Sequence, residues 1–83
     1  MVQLDCRETE FRRDLALQDL KQAEIQLQFS QRQAARIAKL AETNIASEEL
    51  KDTRATEVQQ SRVALNASEV ALKEAELQVS RCA

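Results

Sequence analysis

The chain has 83 residues and a net charge of −2; it contains no Gly, Pro, His, Trp or Tyr, and its only aromatics are two Phe. That composition removes the residues of tight turns and phosphate-binding loops, the commonest general base and zinc ligand, and the aromatic platforms of a nucleic-acid surface. Two cysteines cannot supply the four thiolates of an all-cysteine zinc centre, so no catalytic, cofactor or metal site is expected and the chain reads as a non-enzyme.

What remains is helix. Apolar residues, mostly Ala, Leu and Val, make up 43% of the chain and charged residues 31%, a balance of long helices and not of disorder. No run of 18 apolar residues is present, so no segment is expected to insert into a membrane, and the polar stretch after Met1 predicts no signal peptide. A net charge of −2 creates no basic field for nucleic acid.

The first predicted element is a helix over residues 7–43. Ala16, Leu20, Ala23, Leu27, Ser30, Ala34, Ile37 and Ala41 follow one another at alternating steps of four and three, which keeps one helix face against a neighbour. Phe11, Leu15, Ile25, Phe29 and Leu40 form a second apolar set off that stripe. Glu8 and Arg12 are spaced for an i,i+4 ion pair.

A turn is predicted over residues 44–47. Asn44 tolerates the left-handed conformation that ends a helix where glycine is unavailable. Ser47 suits a helix N-cap, and Glu48 and Glu49 suit the positive end of the next helix; Leu50 stands where a full capping box needs Glu or Gln.

The second predicted helix spans residues 48–80, with Val58, Ser61, Leu65, Ser68, Leu72, Ala75 and Val79 as its stripe. Extending the first stripe forward without a break brings Glu48, Lys51, Arg62, Glu69 and Glu76 into the seam, so the chain must reverse. Folding it about Asn44 sets Leu27 opposite Ser61, Leu65 opposite Ala23, Leu20 opposite Ser68, Leu72 opposite Ala16 and Val58 opposite Ser30. Each layer then pairs one large residue with one small one, which lets two helices interdigitate at constant spacing. The predicted fold is all-α, a single long antiparallel two-helix coiled-coil hairpin. Glu69 and Lys73 supply a further i,i+4 pair.

The same register sets Cys6 opposite Cys82 at the open end. A disulfide staple, implying an oxidising compartment, is preferred over two small buried hydrophobes in a reducing cytosol. Val63, Val70 and Leu77, spaced by seven, form an outer stripe on the second helix and are candidates for lateral packing. Arg32, Arg36, Lys39, Leu40, Ile45 and Ser47 gather around the turn.

Arg36, Leu40 and Ser47 straddling the turn resemble the Arg–Leu–Ser tip motif of periplasmic adaptor proteins, the HlyD-like membrane fusion proteins of tripartite efflux and secretion systems. The stretches Val2-Gln3-Leu4-Asp5-Cys6-Arg7 and Leu77-Gln78-Val79-Ser80-Arg81-Cys82-Ala83 resemble the segments joining such a hairpin to the two halves of a lipoyl-like domain. The family often carries Gly near its turn, where this chain has Asn44. The resemblance implies a hairpin module of a larger adaptor, periplasmic, with a parent anchored to the inner membrane. Hairpins of the family stand side by side and their tips meet a TolC-type outer-membrane channel. Arg36, Leu40, Ile45 and Ser47 are then the channel-docking residues, and an inner-membrane transporter binds through domains outside this chain. Two other readings stand beside this one. A coiled-coil spacer with no transport role is one. An amphipathic membrane-surface helix is the other, and the acidic balance argues against it.

Overall fold

Asp5 folds back on Arg7, two residues further along the chain. In the computed structural model, which describes residues 5–82, its Oδ1 accepts the Arg7 backbone N–H at 3.0 Å, and its two carboxylate oxygens accept Nε and an Nη of the Arg7 guanidinium. This side-chain turn launches α1, Arg7–Glu42. Thr9 adds a second brace, its hydroxyl donating to the Cys6 carbonyl at 2.8 Å.

α1 ends in a fully formed Schellman motif. The Ile45 N–H donates to the Leu40 carbonyl at 2.9 Å and the Asn44 N–H to the Ala41 carbonyl at 3.1 Å. Asn44 sits at φ 63°, the left-handed conformation that the motif requires, and is the one described non-glycine residue with positive φ. The Ala46 N–H also reaches the Leu40 carbonyl, at 3.2 Å. Ser47 then caps the next helix, its Oγ accepting the Leu50 N–H at 3.0 Å. α2 runs Glu48–Cys82.

The result is the expected all-α hairpin, two antiparallel helices of 36 and 35 residues, each about 52–54 Å long at 1.5 Å per residue. Every residue of the two predicted stripes is buried or half-buried. The seam is thin: Leu27, Ser30, Ala41 and Ala75 are its buried members, and no side chain is wholly removed from solvent among the described residues. In the half of the seam nearer the turn the Ser30 and Ser61 hydroxyls form a hydrogen bond of 2.9 Å from helix to helix. At the open end Cys6 and Cys82 are joined as a disulfide with Cα atoms 5.8 Å apart, closing a span of 76 residues.

Several details differ from expectation. α1 stops at Glu42, because Thr43 already leaves helical geometry at φ −101° and ψ 11°. α2 continues past Ser80 to Cys82, where the disulfide holds its last turn against α1. The stretch from Leu77 to Cys82, likened above to a segment leaving the hairpin, is therefore helix; Val2 to Leu4 and Ala83 lie outside the described residues. Leu40, assigned to the off-seam set, is half-buried beneath the turn. The register places Ser30 opposite Val58, yet its hydroxyl reaches Ser61 in the adjoining layer, as expected where each seam residue inserts between two of the partner. Glu8 and Arg12 pair as predicted, whereas Glu69 and Lys73 do not; both are exposed, and water solvates the two charges at little cost. No described helix is long and apolar enough to cross a membrane.

Candidate interaction surfaces

The closed end of the hairpin gathers the residues singled out around the turn. Arg36 and Leu40 are four residues apart on α1 and so lie side by side on one face of its last stretch. The Leu40 carbonyl accepts the N–H groups of Ile45 and Ala46, which ties the apex directly to Leu40. Ile45 projects from that apex 73% exposed. An apolar residue at this position of a Schellman motif commonly packs against the preceding helical turn, whereas most of the Ile45 surface stays in solvent. Ser47 spends one lone pair of its hydroxyl on the Leu50 N–H and keeps its proton to donate elsewhere.

Charge at this end is divided between the helices. Arg32, Arg36 and Lys39 are exposed on α1, and none of them joins an ion pair among the described residues. On α2, Glu48, Glu49 and Asp52 are exposed, and only Glu48 is paired, with Lys51 at 3.9 Å. Arg36 borders a small hollow of about 80 Å³ together with Gln33, Ile37 and Arg54. Arg54 is held there by both oxygens of Glu57, at 2.9 and 3.1 Å.

Along the shaft, Val63, Val70 and Leu77 are exposed on α2 and face away from the seam, and Phe11, Leu15, Ile25 and Phe29 are exposed on α1. Their spacing and exposure agree with an outer stripe on each helix. Among the described residues no group of three or more His, Cys, Asp or Glu side chains is placed to hold a metal ion. The perturbed titrations lie at the open end: hydrogen bonding to the Arg7 guanidinium, then to its N–H, lowers the Asp5 carboxyl below its ordinary value, and Arg7 is raised in return.

Three features escape a reading of the sequence. Arg54 sits half-buried at seam spacing, four residues before Val58, where a stripe of apolar and small residues gives no reason to extend to it. The Ser30–Ser61 bond needs two small seam residues in adjacent layers, a signal that was available in their spacing. The Asp5 brace rests on a turn outside both helices and leaves no periodic trace.

Comparison with known proteins gave no matching family model, no matching curated protein and no matching solved structure.

Proposed function

We propose that this hairpin is a structural adaptor module of a tripartite efflux or secretion system. Its tip, Arg36, Leu40, Ile45 and Ser47, docks to a TolC-type outer-membrane channel, and its sides pack against neighbouring hairpins. The observation that carries the reading is Ile45. The turn's backbone is closed by its own hydrogen bonds, so folding has no use for a 73% exposed isoleucine at the apex, and a partner groove does. Arg36 without a described ion pair supplies a fork of donors for carbonyls or carboxylates, and Ser47 keeps a proton to give.

A disulfide at the base supports an oxidising compartment, the periplasm in this reading. Lateral packing through Val63, Val70 and Leu77 gains support from height. The register set by the turn and the disulfide puts Phe11 level with Leu77, Ile25 level with Val63, and Lys39 level with Glu49. Hairpins standing side by side with tips aligned would oppose apolar surface along the shaft and opposite charges near the tip. Such contacts are small singly and gain strength by repetition. The inner-membrane transporter belongs to the same proposal, through contacts outside this hairpin.

The test is co-purification of the assembled hairpins with a TolC-type channel. Arg36→Ala should weaken each contact by about 1.5–3 kcal/mol and abolish recovery of the complex, with helicity unchanged. Val70→Glu should leave each hairpin folded and block lateral assembly. Recovery unchanged by Arg36→Ala and by Ile45→Asp would favour the other reading, a coiled-coil spacer with no transport role.

A further inference from the structure

The outer stripe of α1 reads alike in both directions. Glu8, Phe11, Leu15, Gln18, Gln22, Ile25, Phe29 and Arg32 follow one another at steps alternating between three and four, so they share one helix face, and all eight are exposed. Taken from the two ends inward, a carboxylate answers a guanidinium, Phe answers Phe, Leu answers Ile, and Gln answers Gln. A face with this symmetry is complementary to itself when a second copy is turned end over end.

We infer that the chain forms a two-fold dimer in which α1 packs antiparallel against α1 of a second copy. In that pairing Phe11 of each copy meets Phe29 of the other, Leu15 meets Ile25, and Gln18 meets Gln22 at the centre. The two glutamines satisfy each other, since an amide carries both donors and an acceptor, and a polar central layer fixes the register. Glu8 and Arg32 close the seam at both ends as opposite charges. The parallel alternative would set Arg32, Arg36 and Lys39 against their own copies, so charge selects the antiparallel one.

Size argues for a reversible pair. The apolar stretch from Phe11 to Phe29 is about 27 Å long. Its four apolar residues, between 48% and 65% exposed, offer on the order of 400 Å² per copy, given that a buried aromatic side chain contributes about 150–250 Å². With the glutamines and the flanking stems the pair falls at the low end of stable interfaces, about 1,200 Å² in total. Asp19 and Lys21 meet their own copies at the edges near the axis, which lowers the affinity further. The dimer is a weak, exchanging species. It goes beyond the adaptor reading and regulates it: the same stripe cannot serve a side-by-side neighbour at the same time, and the two tips point in opposite directions. The dimer is a resting form that must open before hairpins align.

The experiment is sedimentation of the oxidised protein over a concentration series, with a photo-crosslinking residue at position 18. The proposal expects a monomer–dimer equilibrium and crosslinks from position 18 to the neighbourhood of Gln22 in the other copy. Ile25→Lys should abolish the dimer at unchanged helicity. Glu8→Arg should weaken it about tenfold, because the two-fold axis applies each change twice, and Glu8→Arg with Arg32→Glu should restore it. A monomer at every concentration, a dimer indifferent to Ile25→Lys, or crosslinks to α2 near Val70 would overturn the inference. Crosslinks to α2 would at the same time support the side-by-side packing, and channel binding by the tip is unaffected by any of these outcomes.

Discussion

Ser30 and Ser61 face each other across the seam with their hydroxyl oxygens 2.9 Å apart, and Ser30 is only 5% exposed. The bond holds α1 against α2 at a point where neither side chain fills much space. Removing one partner strands the other hydroxyl in a half-buried layer. Ser30→Ala should cost about 1 kcal/mol, whereas Ser30→Ala with Ser61→Ala should cost less than the single change, since no unsatisfied group is left. Thermal melts of the three proteins check the order; a double variant less stable than Ser30→Ala would contradict it.

The disulfide acts mostly on the unfolded chain. Cys6 and Cys82 close a span of 76 residues, and in the chain-entropy account such a loop stabilises the folded state by about 4 kcal/mol. A seam with four buried residues, none of them wholly removed from solvent, makes that a large share of the total. Melting in reductant should occur far below melting in air, with loss of helix beginning at the base. Identical melting, together with two titratable thiols in air, would show that the staple is not formed.

Asn44 replaces the glycine that usually occupies a helix-ending left-handed position. Asn44→Gly should be close to neutral, because relief of the positive φ offsets the added freedom of the unfolded chain. Asn44→Val should cost about 1–2 kcal/mol, through the clash of a branched side chain with the following carbonyl. Denaturant midpoints separate these outcomes, and a stable Asn44→Val protein would mean that the turn has another conformation.

Acid should loosen the start of α1. The Asp5 carboxyl titrates below its ordinary value of 3.8 because its charged form accepts the Arg7 guanidinium and N–H. A lowered carboxylate contributes stability that is present in full above the unfolded value and is lost as pH falls through the folded one. Protection of the Arg7 amide against hydrogen exchange, taken relative to the intrinsic rate at each pH, should therefore be constant above about pH 5 and fall as pH drops below 3.8. Asp5→Asn should weaken that acid-dependent change; an unaltered profile would disprove the brace.

The stripes of Ala, Leu, Ser and Val carry the fold in the sequence. Their change of phase after Ala41 requires a reversal, and their large-to-small layers fix the register in which Cys6 meets Cys82. The turn is legible because Asn44 and Ser47 are the two residue types that the local backbone demands. Helix ends are less so: the last turn of α2 is tied by Cys82 to a residue 76 positions away, a tether that no local propensity records. For the tip, spacing brings Leu40, Ile45 and Ser47 together, but only the folded turn shows that Leu40 is half-buried while Ile45 stands free. Arg54 stayed hidden, because a guanidinium inside a seam becomes acceptable only once Glu57 is seen to hold it.

The most direct measurement is equilibrium binding of the oxidised hairpin, displayed at high density, to a purified TolC-type channel. The account predicts binding by the parent protein and by Arg12→Asp, which alters the far end of α1, and its loss in both Arg36→Asp and Leu40→Asp at equal helicity. Binding that survives both tip substitutions, or no binding by the parent protein, would contradict the assignment of the tip as the docking surface.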